Sequence, residues 1–343
     1  MGASPLAVAS PAGRPQAPVF FAYHSRMSAT ITIDDVRAAA ARIAPHIHAT
    51  PVLHSAGIDA RSGARLLFKC ENFQRAGAFK FRGASNAVWS LDETLAARGV
   101  VTHSSGNHGA ALALAARTRG IPAHVVVPED TVKLKVAAIR SYGASVHFCA
   151  PTLAARDAAA EQLCRETGGT LVHPFTHPAV IAGQGTATLE LIAQAGPLDA
   201  LIAPVSGGGL ISGNAIAAHG LQPGLAVFAA EPEGAADAYE SMRRGERVTD
   251  VVAHTICDGL RANIGAINFD LMREHAITVL PVSDEETVAA MRLIWERMKI
   301  IVEPSSATVL AAVLRHNGLF AGKRVGLILT GGNVDLDRLP WAA

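Results

Sequence analysis

The sequence predicts an α/β protein made of two open parallel-sheet domains, and three observations predict it. Short apolar strands alternate with helical segments from about residue 30 to the end. Those strands run on without polar interruption, as strands covered on both faces do. The alternation comes in two runs, which suggests two sheets. The large domain is expected over 28–92 and 174–343 and the small one over 93–173. Residues 1–27 form an N-terminal extension expected to be disordered. At 343 residues and 50% hydrophobic content, one large or two interleaved domains is the expectation.

In order, 33–43 is an amphipathic helix with Thr32 or Ser28 as cap. A strand at 65–69 and a helical stretch after Lys80 follow. Strand 100–102 turns through 104–107 into an Ala-rich helix at 108–119, and strand 124–128 stops at a proline. Helix 131–141 ends at Gly143, a C′ glycine. Strand 146–148 and helix 152–167 close the first run at Gly168-Gly169. The second run has helix 178–195, strand 200–205, a glycine turn at 206–209 and helix 210–219. Strand 225–230, helices 284–299 and 304–315, and strand 324–329 complete it. No short fixed period repeats, which excludes a solenoid.

Thirty basic side chains stand against 29 acidic ones. That balance offers no general attraction to nucleic acid or to a membrane surface. No apolar run reaches the ~18 residues of a membrane helix. The cysteines at 70, 149, 164 and 257 have neither zinc-knuckle nor redox spacing. So few thiols in a large core fit a reducing, cytoplasmic setting. Residues 1–26 lack the charged and apolar regions of a secretory signal, and Met27 is an alternative start.

Ligands of open α/β sheets bind beyond the carboxyl ends of the strands. Three glycine turns stand there: Ser104-Ser105-Gly106-Asn107-His108, Ser206-Gly207-Gly208-Gly209-Leu210 and Thr330-Gly331-Gly332-Asn333. The second opens a helix, so free amides and the helix dipole converge on one point, as an anion requires. It is neither a dinucleotide fingerprint nor a P-loop. Lys80 stands between Phe79 and Phe81. An apolar setting lowers a lysine pKa and favours the neutral amine that condenses with carbonyls.

The segment Ala78-Phe79-Lys80-Phe81-Arg82-Gly83-Ala84 resembles the cofactor-lysine motif of the serine racemase and threonine/serine dehydratase family, fold type II enzymes of pyridoxal phosphate (PLP). His103 to Gly109, His173-Pro174, Ala182 to Thr186, Ser206 to Leu210, Glu296 to Lys299, Glu303-Pro304-Ser305 and Thr330 to Asp335 resemble its further motifs, in the family's order.

The resemblance implies that Lys80 carries PLP, with Phe79 beside the ring and Asn107 on its 3′-oxygen. Gly207, Gly208 and Gly209, with the amide of Ser206 or Leu210, would hold the phosphate. Ser206 replaces a usual glycine and could add a hydroxyl contact. Thr330 would face the pyridine nitrogen. Ser104, Ser105, Gly106, Asn107 and His108 would receive the substrate carboxylate, and Lys80 would take the Cα proton. Ser105, on the opposite face, makes racemisation credible; helix capping is its structural alternative. Phe175 would pack on the substrate side chain, favouring dehydration. Glu231, the Ala235 carbonyl and Asp237 resemble the family's Mg²⁺ or Ca²⁺ site. The activity implied is an ammonia-lyase (dehydratase) for small β-hydroxy amino acids of the L-serine or L-threonine type. The alternatives are a racemase with elimination as a side reaction, or a dehydratase for phenylserine or threo-3-hydroxyaspartate. The partners expected are the amino-acid substrate and a second copy of the chain as a homodimer. The isoleucine-regulated domain of longer relatives is expected to be absent.

Overall fold

The computed structural model describes residues 30–341. The expectation for residues 1–27 lies outside the described residues. Helix α1 (Ile33–Ile43) starts at a capping box: the Thr32 hydroxyl accepts from the Asp35 amide, and the Asp35 carboxylate accepts from the Thr32 amide. Strand β1 (Val52–Leu53), helix α2 (Ala56–Ser62) and strand β2 (Arg65–Cys70) lead to helix α3 (Lys80–Trp89).

The next segment builds a four-stranded sheet. It contains α4 (Glu93–Arg98), β3 (Val100–His103), α5 (Asn107–Arg119), β4 (Ala123–Pro128), α6 (Lys133–Ser141), β5 (Ser145–Cys149), α7 (Leu153–Thr167) and β6 (Thr170–Leu171). Its order is β5-β4-β3-β6, all parallel.

The rest supplies most of a six-stranded sheet. It contains α8 (Pro178–Ala195), β7 (Ala200–Pro204), α9 (Gly209–Leu221), β8 (Ala226–Pro232), α10 (Asp237–Arg244), α11 (Ala266–Glu274) and β9 (Thr278–Val282). Helices α12 (Asp284–Met298), α13 (Pro304–Arg315) and α14 (Asn317–Phe320) and strand β10 (Arg324–Leu329) follow. The order is β1-β2-β10-β7-β8-β9, with only β1 antiparallel. From Ile31 onward the described chain forms one compact unit.

Burial explains why the strands are continuously apolar. Leu66, Phe68, Val325, Leu327, Ala200 and Ile202 enter one core with α12 and α13. Their neighbours Leu67, Ile328, Leu201 and Ala203 enter another with α8, α9 and α11. Successive side chains point to opposite faces, so a sheet covered on both takes apolar residues except where a buried polar group such as Lys69 finds partners. The small sheet repeats this, with Val125 and Val127 on one side and Val126 on the other.

Several elements differ from the sequence expectation. Strand β9, helices α10 and α11 and the two-residue strands were not expected. Pro281 sits inside β9, which is tolerated because β9 is an edge strand. The helix expected from 131 begins at Lys133, and the one expected to 299 ends at Met298, where Lys299 turns left-handed at φ 59°.

Candidate active site

The turns β3→α5, β7→α9 and the one after β10 lie at the carboxyl ends of parallel strands. Residues 76–79 join the third. The Phe79 amide donates to the Thr330 carbonyl at 2.9 Å, the Gly332 amide to the Gly77 carbonyl at 3.0 Å, and Ala78 bridges Gly331. This pairing presents Lys80 as the first residue of α3. Its ammonium donates to the Pro174 carbonyl at 3.0 Å and lies 5.1 Å from the Phe79 ring centroid. Burial lowers its pKa from 10.5 to about 8, the direction that favours a nucleophilic amine.

The glycine turn fits a phosphate. Helix α9 starts at Gly208 with no side-chain cap and no acidic residue in its first turn, so its leading amides stay available. Glycine is required here for packing. A Cβ at 207 would stand 2.4 Å from Cγ of Phe175, and one at 208 would stand 2.5 Å from Cβ of Asn268. Phe175 therefore lies against the phosphate turn, a contact the sequence reading did not foresee. The Ser206 hydroxyl donates to the Ala262 carbonyl at 3.1 Å and accepts from the Ala262 amide at 3.0 Å. It fastens the turn to the neighbouring loop, with its one proton given to Ala262. Leu210 is buried in the first turn of α9.

Asn107 opens α5. Its Nδ2 donates to the Glu303 carboxylate at 3.1 and 3.2 Å, and its Oδ1 accepts from Asn333 Nδ2 at 3.0 Å. Burial and the charge of Asp258 push Glu303 up to about 7. The Thr330 and Ser306 hydroxyls are 2.9 Å apart, and Ser306 also grips both polar atoms of the Gly331 backbone.

The N-cap of α5 is Gly106, with no side-chain cap; Ser104 Oγ accepts from the Gly106 amide at 3.4 Å. Ser105 thus does not cap the helix and stays half-buried in the turn. His108 is buried, with Nε2 3.3 Å from the Val172 carbonyl and Nδ1 lacking a partner. A carbonyl only accepts, so Nε2 carries the proton and Nδ1 offers a lone pair. Burial, then the charge of Lys80, holds His108 well below its ordinary value.

Arg156 in α7 was not singled out in the sequence. Its Nε is buried without a hydrogen-bond partner, and its charge helps burial depress His103 to about 4. His103 ends β3, next to Ser104, and its ring is 5.1 Å from that of His173. No motif marks this arginine, because its place depends on how α7 packs across β3 and β4.

Glu231 ends β8 fully buried, and its two oxygens accept from the Ala238 and Tyr239 amides at 2.9 and 2.8 Å. Asp237 accepts from the Ile264 amide at 2.7 Å, and Ala235 lies in the turn between them. Burial, then Asp237, pushes Glu231 up to about 8; burial pushes Asp237 up to about 6. Among the described residues no three or more His, Cys, Asp or Glu side chains cluster as a metal site.

Residues 43–331 match the model of a family described as pyridoxal-phosphate dependent enzyme. The chain is 48% identical over 310 residues to a beta-hydroxyaspartate dehydratase of Paracoccus denitrificans, covering 90% of this chain and 98% of that protein. It is 50% identical to a serine racemase of Dictyostelium discoideum, over 91% of this chain and 97% of that one. The structure of maize serine racemase superposes with a TM-score of 0.88 at 44% identity, covering 90% of this chain and 95% of that one.

Proposed function

The chain belongs to the pyridoxal-phosphate dependent enzyme family, and from that premise we propose that it is an ammonia-lyase for a β-hydroxy amino acid, with 3-hydroxyaspartate ahead of serine and threonine. Bound PLP supplies an electron sink for charge developing at Cα. Lys80 Nζ, lowered toward neutrality by burial, takes the Cα proton as general base. The amides of Gly207, Gly208, Gly209 and Leu210 hold the phosphate. Phe79, Asn107 and Thr330 line the ring, and residues 104–108 receive the α-carboxylate. The products are a 2-oxo acid and ammonia.

The observation that carries the substrate choice is Arg156, whose buried Nε lacks a hydrogen-bond partner and whose charge acts on His103, next to the turn 104–108. An unmatched guanidinium donor suits a second carboxylate. The similar beta-hydroxyaspartate dehydratase supports the same choice. Ser105 keeps racemisation as the second reading: it stands free of helix capping, and the similar serine racemase supports it. Glu231, the Ala235 carbonyl and Asp237 are proposed to bind Mg²⁺ or Ca²⁺. We further propose a homodimer and the division of domains at residues 93 and 173. Among the described residues no helix is long and apolar enough to cross a membrane.

The test measures 2-oxo acid and ammonia from serine, threonine and the 3-hydroxyaspartate isomers, with chiral analysis of recovered substrate. Hydroxyaspartate is expected to have the highest kcat/KM. Arg156→Ala should cost it roughly 10- to 150-fold, the worth of a charged hydrogen bond, and leave serine little changed. Equal losses for both substrates would remove Arg156 from the reading.

A further inference from the structure

We propose that Arg82 is a positioning residue for Lys80: clamped between Glu71 and Glu190, it holds the first turn of α3 and so aims the lysine amine. The proposal rests on the reading of Lys80 given above.

Arg82 is among the largest fully buried side chains, two residues beyond Lys80. Its Nε and Nη2 grip Glu71 Oε2 and Oε1 at 2.7 and 2.8 Å. Its Nη1 and Nη2 grip Glu190 Oε1 and Oε2 at 2.8 Å each. Thr186 and Thr50 hydroxyls accept at 3.2 and 3.4 Å. Lys69, also fully buried, donates to Glu190 at 2.7 Å, to the Thr50 carbonyl at 2.6 Å and to Gln194 at 3.1 Å. Two cations and two carboxylates thus neutralise one another, with Arg82, Lys69 and Glu71 fully buried and Glu190 at the edge of the core.

Burying such charges is costly, and hydrophobic replacements often do as well for stability. What such a cluster supplies is direction: paired bidentate forks fix a guanidinium in plane and rotation. The start of α3 needs an outside restraint. Its N-cap, Phe79, makes no side-chain cap, and the first turn holds no acidic residue. Helix ends of that kind fray unless tertiary contacts hold them. Arg82 ties this turn to residues 71 on β2's exit and 190 on α8. Beside it, Gly83 meets the same helix α8 so closely that a Cβ there would stand 2.7 Å from the Val180 carbonyl. The turn that carries Lys80 is therefore pinned twice, once by packing on α8 and once by charge to Glu71 and Glu190.

Arg82→Lys tests this, because it keeps the charge and loses the fork. Wild-type apoprotein is first loaded with PLP, reduced with borohydride and peptide-mapped. A label elsewhere than Lys80 would overturn the reading of Lys80 itself. With the label at Lys80, the variant's rate of PLP capture by apoprotein is followed against pH, beside kcat and KM. Misplacement predicts a kcat loss of about 10- to 100-fold, little change in KM and a displaced pH midpoint of capture. A variant with lowered Tm but unchanged midpoint and kcat would make Arg82 merely structural and overturn the proposal. If Arg82→Lys does not fold, Glu190→Gln decides: it loosens one fork, and unchanged capture and kcat would refute the proposal equally.

Discussion

Substituting Gly207 by alanine should weaken PLP binding through Phe175 rather than through the backbone. The added Cβ would stand 2.4 Å from Cγ and 2.5 Å from both Cδ atoms of the ring. Carbon atoms in good contact are ~3.5 Å apart, so the ring would have to retreat by about 1 Å. It has little room to do so. The Phe175 carbonyl accepts from Asn268 Nδ2 at 3.0 Å, its amide donates to His173 Nδ1 at 3.4 Å, and its ring meets the His173 ring edge-on at 4.5 Å. Behind it, the backbone presses on Gly209 so closely that a Cβ there would be 2.7 Å from the Phe175 carbonyl oxygen. Overpacking of this kind costs roughly 1–3 kcal/mol. If the strain falls on the turn, the dissociation constant rises about 5- to 150-fold.

Equilibrium titration of apoprotein with PLP measures it. Gly106→Ala is the control in the neighbouring turn, since nothing lies within 4 Å of a Cβ there. Phe175→Leu in the Gly207→Ala background should restore part of the affinity. A Gly207→Ala protein that binds PLP within twofold of wild type, with Phe175 intact, would refute the packing argument.

Capture of PLP by apoprotein should rise about tenfold per pH unit and level off above a midpoint near 8, the Lys80 value; a midpoint near 10.5 would show an unperturbed amine. The same lowered pKa means the unfolded chain binds the extra proton between about 8 and 10.5. Lys80 therefore makes apoprotein stability rise with pH across that window, which denaturation of wild type against Lys80→Met at several pH values would reveal. Ser105→Ala is expected to reduce racemisation more than elimination of the L-substrate, read by chiral chromatography; equal losses would deny it a separate face. EDTA should lower Tm if Glu231, Ala235 and Asp237 hold a cation, by an amount equivalent to roughly 2.7 kcal/mol at a hundredfold excess of metal over its Kd, and an unmoved Tm would discard the site.

The parts of the site that are contiguous in the chain were legible in the sequence. Lys80 between two aromatics, and three glycines between a strand and a helix, carry their chemistry locally. Fold class was legible for a similar reason: unbroken apolar strands report two covered faces. What escaped depends on pairs distant in sequence. Nothing in the sequence shows that Gly207 lies beneath the ring of Phe175. The hydroxyl of Ser206 gives no sign in the sequence of its bond to Ala262, 56 residues away, which takes its one proton. Arg156 carries no local signal, since its neighbour His103 is brought to it by the packing of α7 on β3. Strand β9 was obscured by Pro281, which argues against a strand only where the strand is central.

The electrostatics of the cleft favour arginine over histidine as the selector of an acidic substrate. His103, His108, His173 and His177 gather around the second and third motifs and could seem the natural carboxylate receptors. Burial lowers His103 and His177 to about 4 and holds His108 well below its ordinary value. These three rings therefore remain neutral near pH 7 and can offer at most a neutral N–H. His108 gives its N–H to the Val172 carbonyl, and Lys80 must shed its charge to act as a base. A guanidinium cannot shed its charge at any working pH. On the proposed reading, a second carboxylate entering beside β3 would meet a permanent cation at Arg156, whose buried Nε has no hydrogen-bond partner. Serine would offer that donor no second carboxylate, and leaving it unmatched would be the larger part of the proposed discrimination.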